Sequence, residues 1–202
     1  MPGREMFTGI IEELGTVAAF EKRGAGARLT VQCSTVLPDL TAGASIAVNG
    51  VCLTALALGP DCFSADLAPE TLSRSNLGGL AAGSRVNLER PVTPLTRLSG
   101  HLVQGHVDAT GEVMALDSLG GGNGWLKLRL PQSLDRYLVE KGSIALDGIS
   151  LTIATLDAGP VIGVTIIPHT LASTTLGSAR VGDRVNVEVD VLAKHVEKLM
   201  RA

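Results

Sequence analysis

Short runs of alternating or continuous apolar residues dominate the chain. Residues 29–33, 45–48, 85–89 and 185–189 are examples of such runs. They have strand-like lengths, are rich in β-branched residues and have glycine or an Asn-Gly turn signal nearby. The pattern therefore predicts an all-β fold dominated by short strands.

Helical spacing of apolar residues is confined to a few short segments. Residues 132–141 end before Gly142 and residues 70–77 end before Gly78, as expected for helices followed by a C-terminal glycine. Residues 191–202 carry apolar and basic side chains on opposite faces. The apolar positions are Leu192, Val196 and Leu199, and the basic positions are Lys194, Lys198 and Arg201. Because so short a helix is marginal alone, we expect it to dock on another surface.

The chain contains two copies of one pattern. Four strings of the first half recur in the same order in the second half, with small differences in spacing. Residues 7–11, 45–54, 69–72 and 83–89 correspond to residues 103–107, 143–152, 168–171 and 182–188. An order-preserving repeat indicates two domains of one fold, and about 100 residues is a usual domain size. We expect domains at residues 6–97 and 98–190, followed by a C-terminal oligomerisation helix at residues 191–202.

Many short strands with little helix favour a small closed antiparallel barrel in each copy over a doubly wound sheet. No G-x-G-x-x-G motif lies between a strand and a helix, and no G-x-x-x-x-G-K-[ST] motif occurs. The glycine-rich residues 120–124 are interpreted as the tip of a hairpin and not as a phosphate loop.

Composition and charge narrow the class of protein. The net charge of −3 without a basic block and the aromatic content of 2% argue against nucleic-acid binding. No apolar run approaches the roughly 18 residues of a membrane helix, and the first residues lack the apolar segment of a signal peptide. Cys33, Cys52 and Cys62 form no C-x-x-C motif, so free thiols in a reducing compartment are expected. The expected location is cytoplasmic, without a membrane partner.

The two copies differ inside their best-matched strings. Each difference puts a titratable or nucleophilic group in one copy, which suggests two similar pockets with different roles. The differing pairs are Asn49 and Asp147, Cys52 and Ser150, Asp66 and Thr165, Ile10 and His106, and Pro91 and Asp190.

Each of these residues also has a structural interpretation. Cys52 between Val51 and Leu53 is typical of a small buried hydrophobic residue. Ser150, Thr152 and Thr54 could satisfy the turn backbone that precedes them. Asp190 directly precedes the terminal helix and is a candidate N-cap.

A metal site is not predicted. His101 and His106 match no standard zinc spacing, and neither a cysteine nor a third histidine accompanies them.

Six strings taken together resemble the riboflavin synthase alpha chain family, from Met6 to near the end of the chain. They are residues 6–11, 49–54, 100–108, 147–152, 167–171 and 187–190. The resemblance implies two six-stranded Greek-key barrels, each binding 6,7-dimethyl-8-ribityllumazine, in a homotrimer. It also implies a dismutation in which one lumazine gives a four-carbon unit to another, forming riboflavin and 5-amino-6-(ribitylamino)uracil. No cofactor or metal is expected, and association with other riboflavin-pathway enzymes is left open.

The same resemblance assigns site residues. It implies Ser150 as nucleophile or proton relay, His106 as base or orienting group, and Asp190 and Cys52 as further catalytic residues. It puts His106 with Ser150 in a C-terminal pocket and puts residues 7–11 beside Cys52 at an N-terminal pocket. The implied substrate contacts of the first copy are Phe7, Gly9, Ile10, Ile11, Ser45, Cys52, Leu53, Thr54, Asp66, Leu67, Ala68, Pro69, Glu70 and Thr71. Those of the second copy are Gly105, His106, Val107, Lys141, Asp147, Ser150, Leu151, Thr152, Thr165, Ile166, Ile167, Pro168, His169 and Thr170.

Two departures from the family pattern affect these expectations. Five residues precede Met6, where the family usually begins, and an ordered extension would lie near the active site. Ala68 stands where relatives carry a bulkier apolar residue, so looser ligand packing is expected in the first pocket. The competing functions are a non-catalytic lumazine- or flavin-binding protein of the same fold and a structural barrel that binds no small molecule. The enzyme is favoured because the polar groups of both pockets are present: Cys52, His106, Ser150 and Asp190.

Overall fold

Alternating apolar residues in the first half of the chain build seven antiparallel strands. The structure is a computed structural model that describes residues 5–201. The strands are β1 (Glu13–Arg23), β2 (Gly26–Gln32), β3 (Ser45–Val48), β4 (Val51–Thr54), β5 (Ala57–Leu58), β6 (Cys62–Leu67) and β7 (Arg85–Glu89). The helix α1 (Pro69–Arg74) precedes β7, and short 3-10 helices lie at Leu37–Asp39 and Asn76–Gly79.

The second half repeats this order of elements. Its strands are β8 (Ala109–Gly120), β9 (Asn123–Arg129), β10 (Ser143–Leu146), β11 (Ile149–Thr152), β12 (Thr155–Asp157), β13 (Val161–Ile166) and β14 (Arg184–Val189). The helices are α2 (Pro168–Ser173) and α3 (Val191–Met200), with 3-10 helices at Gln132–Tyr137 and Thr175–Ser178. No helix among residues 5–201 is long and apolar enough to cross a membrane.

The two sheets have the same topology. Their strand orders are β4-β3-β7-β1-β2-β6-β5 and β11-β10-β14-β8-β9-β13-β12. Strand β7 returns from beyond β6 to pair with β1, which is a Greek-key connection. Strand β4 also lies close to β6, so the sheet curls back on itself. The expectation of six strands was wrong by one in each half, because the very short β5 and β12 pair with β6 and β13.

Each curled sheet encloses its own apolar core. Alternate side chains of a strand point to opposite faces, so Leu29 and Val31 of β2 are fully buried whereas Gln32 is exposed. Leu126 and Leu128 of β9 occupy the corresponding buried positions in the second half. The alternation of apolar residues within β2 and β9 therefore identifies their inward faces.

Of the three predicted helices, the terminal one was confirmed and the other two differ from the structure. Helix α3 confirms the terminal helix, and residues 120–124 lie at the expected β8–β9 hairpin. The helix predicted at residues 132–141 was wrong, because only Gln132–Tyr137 form a 3-10 helix before the chain extends. The helix predicted at residues 70–77 is interrupted at Ser75, whose backbone is extended. Of the extension before Met6, residues 1–4 lie outside the described residues.

The two halves meet where two tight turns touch. Asn49-Gly50 joins β3 to β4, and Asp147-Gly148 joins β10 to β11. All four residues have positive φ. A Cβ atom on Gly50 would lie 2.5 Å from the amide nitrogen of Gly148, so only glycine allows this approach. An apolar cluster from both halves fills the adjoining space: Phe7, Ala47, Val103 and Ala145.

Buried polar side chains complete this junction. The Asp147 carboxylate accepts hydrogen bonds from the Asn186 backbone amide at 2.8 Å and from the Asn76 side chain at 2.9 Å. The Asn186 side chain donates to the Asn49 carbonyl oxygen at 2.8 Å. Burial raises the pKa of Asp147 to about 7, because the loss of hydration outweighs these hydrogen bonds. The matching position of the other turn holds the neutral Asn49.

Candidate active sites at the crossing of two segments

The segment before each sheet lies against the other sheet. Residues 7–11 precede β1, yet the Gly9 carbonyl accepts a hydrogen bond from the Ser150 backbone amide of β11 at 2.8 Å. Residues 103–107 precede β8, yet the Gly105 carbonyl accepts one from the Cys52 amide of β4, also at 2.8 Å. Each segment therefore covers the sheet of the other half and not the sheet that follows it in sequence. We call them the exchanged segments.

The exchanged segments cross at one antiparallel pair. Phe7 and Val103 form an isolated bridge, with backbone N–O distances of 2.7 and 3.1 Å. Beyond this crossing, Ile11 packs on the core of the second sheet and Val107 packs on the core of the first. The crossing therefore lies where the two halves meet.

Close approach explains the glycines in both segments. A Cβ atom on Gly9 would lie 2.6 Å from Cβ of Ser150, and one on Gly105 would lie 2.6 Å from Cβ of Cys52. Both glycines also have positive φ. Each glycine thus brings backbone against the strand that carries the candidate nucleophile.

Two buried glutamates hold the segments in place. Glu89 accepts hydrogen bonds from the Thr8 and Gly9 amides at 2.7 and 3.0 Å. Glu188 accepts hydrogen bonds from the Gln104 and His106 amides at 2.7 and 2.9 Å. Burial raises the pKa of Glu89 to about 6 and also raises the pKa of Glu188. These carboxylates fix backbone and are not free to act in either site.

The crossing corrects the expected grouping of site residues. His106 was expected beside Ser150, but it lines a cavity with Cys52. Gly9 was expected beside Cys52, but it lies against Ser150. The grouping implied by the resemblance was wrong, because it assigned each segment to the sheet that follows it in sequence.

The Cys52 site is a cavity of about 250 Å³ between β4, α1 and the segment at residues 103–107. Its lining is Val51, Cys52, Glu70, Thr71, Arg74, Ser75, Gly105, His106 and Val107. Pro69 begins α1 with a fixed φ, and the next residue, Glu70, forms an ion pair with Arg74 at the rim. Burial raises the pKa of the Cys52 thiol, while a hydrogen bond with Ser45 lowers it. Cys52 is therefore a thiol at neutral pH, beside an imidazole and a charged rim.

The Ser150 site contains a different pair of groups. Nδ1 of His101 lies 2.7 Å from Oγ of Ser150, within hydrogen-bond distance. Burial lowers the pKa of His101, and the negative charge of Asp190 acts in the opposite direction. His101 is therefore neutral near pH 7, and its Nδ1 can accept the Ser150 hydroxyl proton. Its buried Nε2 has no hydrogen-bond partner among the described residues.

Sequence reasoning missed His101 as a site residue. The histidine was weighed only as a metal ligand, and its place two residues before Val103 gave no indication that it would face Ser150. Asp190 has the structural role considered for it, because its side chain accepts a hydrogen bond from the Leu192 amide and caps α3. Its charge also acts on His101, so the cap and the site are linked.

Several of the expected substrate contacts have side chains on an outer face, in the junction between the halves or in an apolar core. Asp66 lies on the outer face of β6 and forms a two-point ion pair with Arg28 at 2.7 and 2.9 Å. Asp147 is enclosed in the junction between the halves. The side chains of Leu53, Leu67 and Ile166 are buried, the first two in the first core and the third in the second.

The remaining expected contacts lie at strands, strand ends and helix starts of the two halves. Lys141 donates to the Ala154 carbonyl at 3.2 Å, at the edge of the second sheet. Thr54 pairs with Ser45 across β3 and β4, as Thr152 pairs with Ser143 across β10 and β11. Ala68 and Ile167 occupy matching N-cap positions of α1 and α2, and Ile167 is exposed. The first turn of α2 contains Pro168, His169 and Thr170. Ile10 lies before β1, Leu151 lies in β11 and Thr165 lies in β13.

Comparison with known proteins agrees with a duplicated ligand-binding fold. A family model described as a lumazine binding domain matches residues 8–91 and 104–190. Solved structures of LumP in complex with 6,7-dimethyl-8-(1'-D-ribityl) lumazine and with riboflavin align with TM-scores of 0.82 and 0.84. Each alignment covers 91% of this chain and 99% of the other, at 22% identity, and shows a shared fold.

Several relatives are more similar to this chain in sequence than LumP is. Riboflavin synthase of Mycobacterium tuberculosis is 54% identical over 98% of this chain and 99% of its own length. Riboflavin synthases of Actinobacillus pleuropneumoniae and Bacillus subtilis are 44% and 41% identical, each over 96% of this chain and 90% of their own length. With two lumazine binding domains and this identity over nearly its whole length, the chain belongs to the riboflavin synthase family.

Proposed function

We propose that the chain converts two molecules of 6,7-dimethyl-8-ribityllumazine into riboflavin and 5-amino-6-(ribitylamino)uracil by transfer of a four-carbon unit. Riboflavin synthase function, a transferase-type activity, follows from full-length relatives of 41–54% identity. The observation that carries the proposed mechanism is the unlike pair of sites. Cys52 and Ser150 occupy equivalent strands, each covered by the glycine segment of the other half. Ser150 has the His101 imidazole at 2.7 Å, whereas Cys52 shares a cavity with His106.

A non-catalytic binding protein is not favoured. The likeness to LumP is one of fold, at 22% identity, whereas the riboflavin synthases are much closer in sequence. A reaction between two identical molecules calls for two similar sites with unlike functional groups, and the equivalent strands of Cys52 and Ser150 support this arrangement.

The substrate chemistry suggests roles for these groups. Removal of a proton from the C7 methyl group of lumazine gives a carbanion that delocalises into the electron-poor ring. Addition of a nucleophile at C7 of a second molecule prepares it as the acceptor. The neutral His101 imidazole can accept the Ser150 proton, so Ser150 suits the role of nucleophile or proton relay. In the other site, the Cys52 thiol and His106 line the cavity together.

Positioning supplies a large share of the proposed rate enhancement. Two ligands held face to face react in an effectively unimolecular step, which lowers a barrier by about 7–11 kcal/mol in favourable cases. The proposal includes lumazine-binding domains at residues 6–97 and 98–190, one ligand in each. It also includes a cytoplasmic location and leaves association with other riboflavin-pathway enzymes open.

Helix α3 supports a homotrimeric assembly in which the two facing sites come from neighbouring subunits. Lys194 pairs with Asp108 at 2.7 Å, and Glu197 pairs with Arg136 at 2.7 Å, so the polar face of α3 binds its own chain. The opposite face leaves large apolar side chains exposed: Leu192, Val196, Leu199 and Met200. An exposed apolar stripe on a docked helix is suited to packing against copies of itself.

The test is direct. Purified protein is mixed with the lumazine, and riboflavin absorbance is followed with time. The proposal expects riboflavin to form catalytically, with one uracil product for each riboflavin. Binding of lumazine, seen as a change in its fluorescence, without any riboflavin would identify a binding protein instead.

A further inference from the structure

Each exchanged segment is followed directly by an acidic residue that binds backbone at the end of a strand. After the first segment, the Glu12 carboxylate accepts a hydrogen bond from the Arg90 amide at 2.7 Å, just beyond β7. After the second segment, the Asp108 carboxylate accepts one from the Val189 amide at 3.0 Å, at the end of β14. The two halves therefore fasten the ends of these segments in the same way.

The basic group that completes this contact comes from a different element in each half. In the first half, the Arg90 side chain pairs with Glu12 at 2.6 Å, so one residue supplies both the amide and the positive charge. Its counterpart Val189 has no charge, and the ammonium group of Lys194 in α3 lies 2.7 Å from Oδ2 of Asp108 instead. The Lys194 and Asp108 side chains are only 26% and 23% exposed. The second segment is therefore fastened by the terminal helix.

This second segment carries His106 into the Cys52 cavity. The His106 amide donates to Glu188 at 2.9 Å, so two carboxylates, those of Glu188 and Asp108, hold the segment on either side of this histidine. Beside the dominant effect of burial, the Asp108 charge raises the pKa of Glu188 and the Lys194 charge lowers it. Lys194 thus offsets the repulsion between the two carboxylates that hold the segment.

We propose that Lys194 is a positioning residue of the Cys52 site, which ties the terminal helix to the segment that carries His106. Lys194 does not line the cavity and acts through Asp108 and the backbone of the segment. The opposite face of α3 bears the exposed apolar stripe. One helix therefore links the surface suited to self-association with the geometry of a site in its own chain. The inference rests on the proposed function for its catalytic meaning.

The experiment compares Lys194→Met with Lys194→Arg in the full-length protein. Lys194→Met keeps an unbranched side chain and removes the charge, and we expect turnover to fall roughly two- to tenfold, the scale of one partly buried ion pair. Light scattering should show an unchanged oligomer, because the apolar stripe is intact. Lys194→Arg should restore most of the turnover. Arg136→Ala is the matched control, since it removes another ion pair of α3 with its own chain, while the Tyr137 hydroxyl still binds Glu197.

A second measurement does not depend on turnover. With ¹⁵N-labelled histidine, the chain gives backbone amide signals for four histidines, and His106→Gln identifies the His106 signal by its loss. Lys194→Met should shift the His106 amide, because the carboxylate that accepts its hydrogen bond loses a nearby positive charge. Arg136→Ala should leave that signal in place.

Asp108→Asn breaks the same ion pair from the other side and retains an oxygen for the Val189 amide. It should reproduce the effects of Lys194→Met, and the double variant should be no worse than either single one. It also replaces Lys194→Met as the test if that variant fails to fold or to assemble.

Wild-type turnover in Lys194→Met and Asp108→Asn would overturn the inference. An equal loss in Lys194→Arg or in Arg136→Ala would also overturn it, because the effect would then not belong to this charge. A shifted His106 amide in a protein that makes no riboflavin would refute the proposed function alone. An unmoved amide in an active enzyme would refute the role of Lys194 alone.

Discussion

The Cys52 and Ser150 sites share one backbone and differ in chemistry. Each combines a strand beside a tight turn with a glycine of the other half's segment packed on the nucleophile. The Ser150 site adds a neutral imidazole at 2.7 Å, whereas the Cys52 site adds His106 and a charged rim. Duplication thus reproduced the framework, and a few side chains at its edges distinguish the two halves.

We expect the largest effect on the two sites when one half of the chain is removed. A fragment of residues 6–97 retains β1–β7 and their core, but its segment at residues 7–11 loses β11 and its Cys52 strand loses Gly105. We expect it to fold, to associate as a dimer in which each copy covers the other, and to bind lumazine without making riboflavin. Circular dichroism, light scattering and fluorescence titration check these three outcomes. A fragment that remains unfolded under native conditions would contradict the assignment of residues 6–97 as a domain.

Substitution at the two nucleophile positions tests whether the sites have unlike roles. Ser150→Ala removes the hydroxyl that pairs with His101 and should lower turnover by roughly 100- to 1000-fold, the usual effect of losing one catalytic hydrogen-bonding group. Cys52→Ser retains a small polar group in its cavity and should cost less. Steady-state turnover is measured beside thermal unfolding, which should change little. Wild-type turnover in both variants would remove Cys52 and Ser150 from the mechanism.

The apolar face of α3 tests whether the two sites meet between subunits. Val196→Asp combined with Leu199→Asp should give monomers that still bind ligand. Burying one such side chain is worth about 1.5–3 kcal/mol, so two charged replacements should dissociate the assembly, and turnover should fall roughly tenfold or more because the facing sites separate. Lys198→Ala, on the same helix, is the control and should remain oligomeric. Light scattering with a parallel activity assay decides the matter, since a fully active monomer would show that one chain completes the site.

The limits of sequence reasoning follow from which contacts are local. Short alternating or continuous apolar runs predicted β3 and β7 at their observed bounds, because the pattern that marks a strand lies in residues that are neighbours in sequence. Leu134 and Leu138 have helical spacing and are both buried, yet they belong to a 3-10 helix and the extended chain after it. The exchange of residues 7–11 was not predictable, because no local pattern states which sheet a segment covers. His101 was missed for that reason.

The turns at the junction offer the smallest and most specific test of the comparison. Asp147 replaces the Asn49 of the first half, and burial raises its pKa from 3.8 to about 7. Below pH 3.8 the carboxyl is neutral in both the folded and unfolded protein. As pH rises from there toward 7, the unfolded chain releases the proton while the folded protein retains it, so folding stability falls.

Asp147→Asn removes this titration and should make the free energy of unfolding less dependent on pH in that window. The difference from wild type should grow with pH and reach on the order of 1–3 kcal/mol at neutral pH. Urea unfolding at several pH values measures it. The reciprocal variant Asn49→Asp introduces a carboxylate at the matching turn and should acquire the pH dependence that Asp147→Asn loses. If Asp147→Asn follows the wild-type pH dependence, Asp147 is ionised in the folded protein, and its hydrogen bonds to Asn186 and Asn76 outweigh the cost of burial.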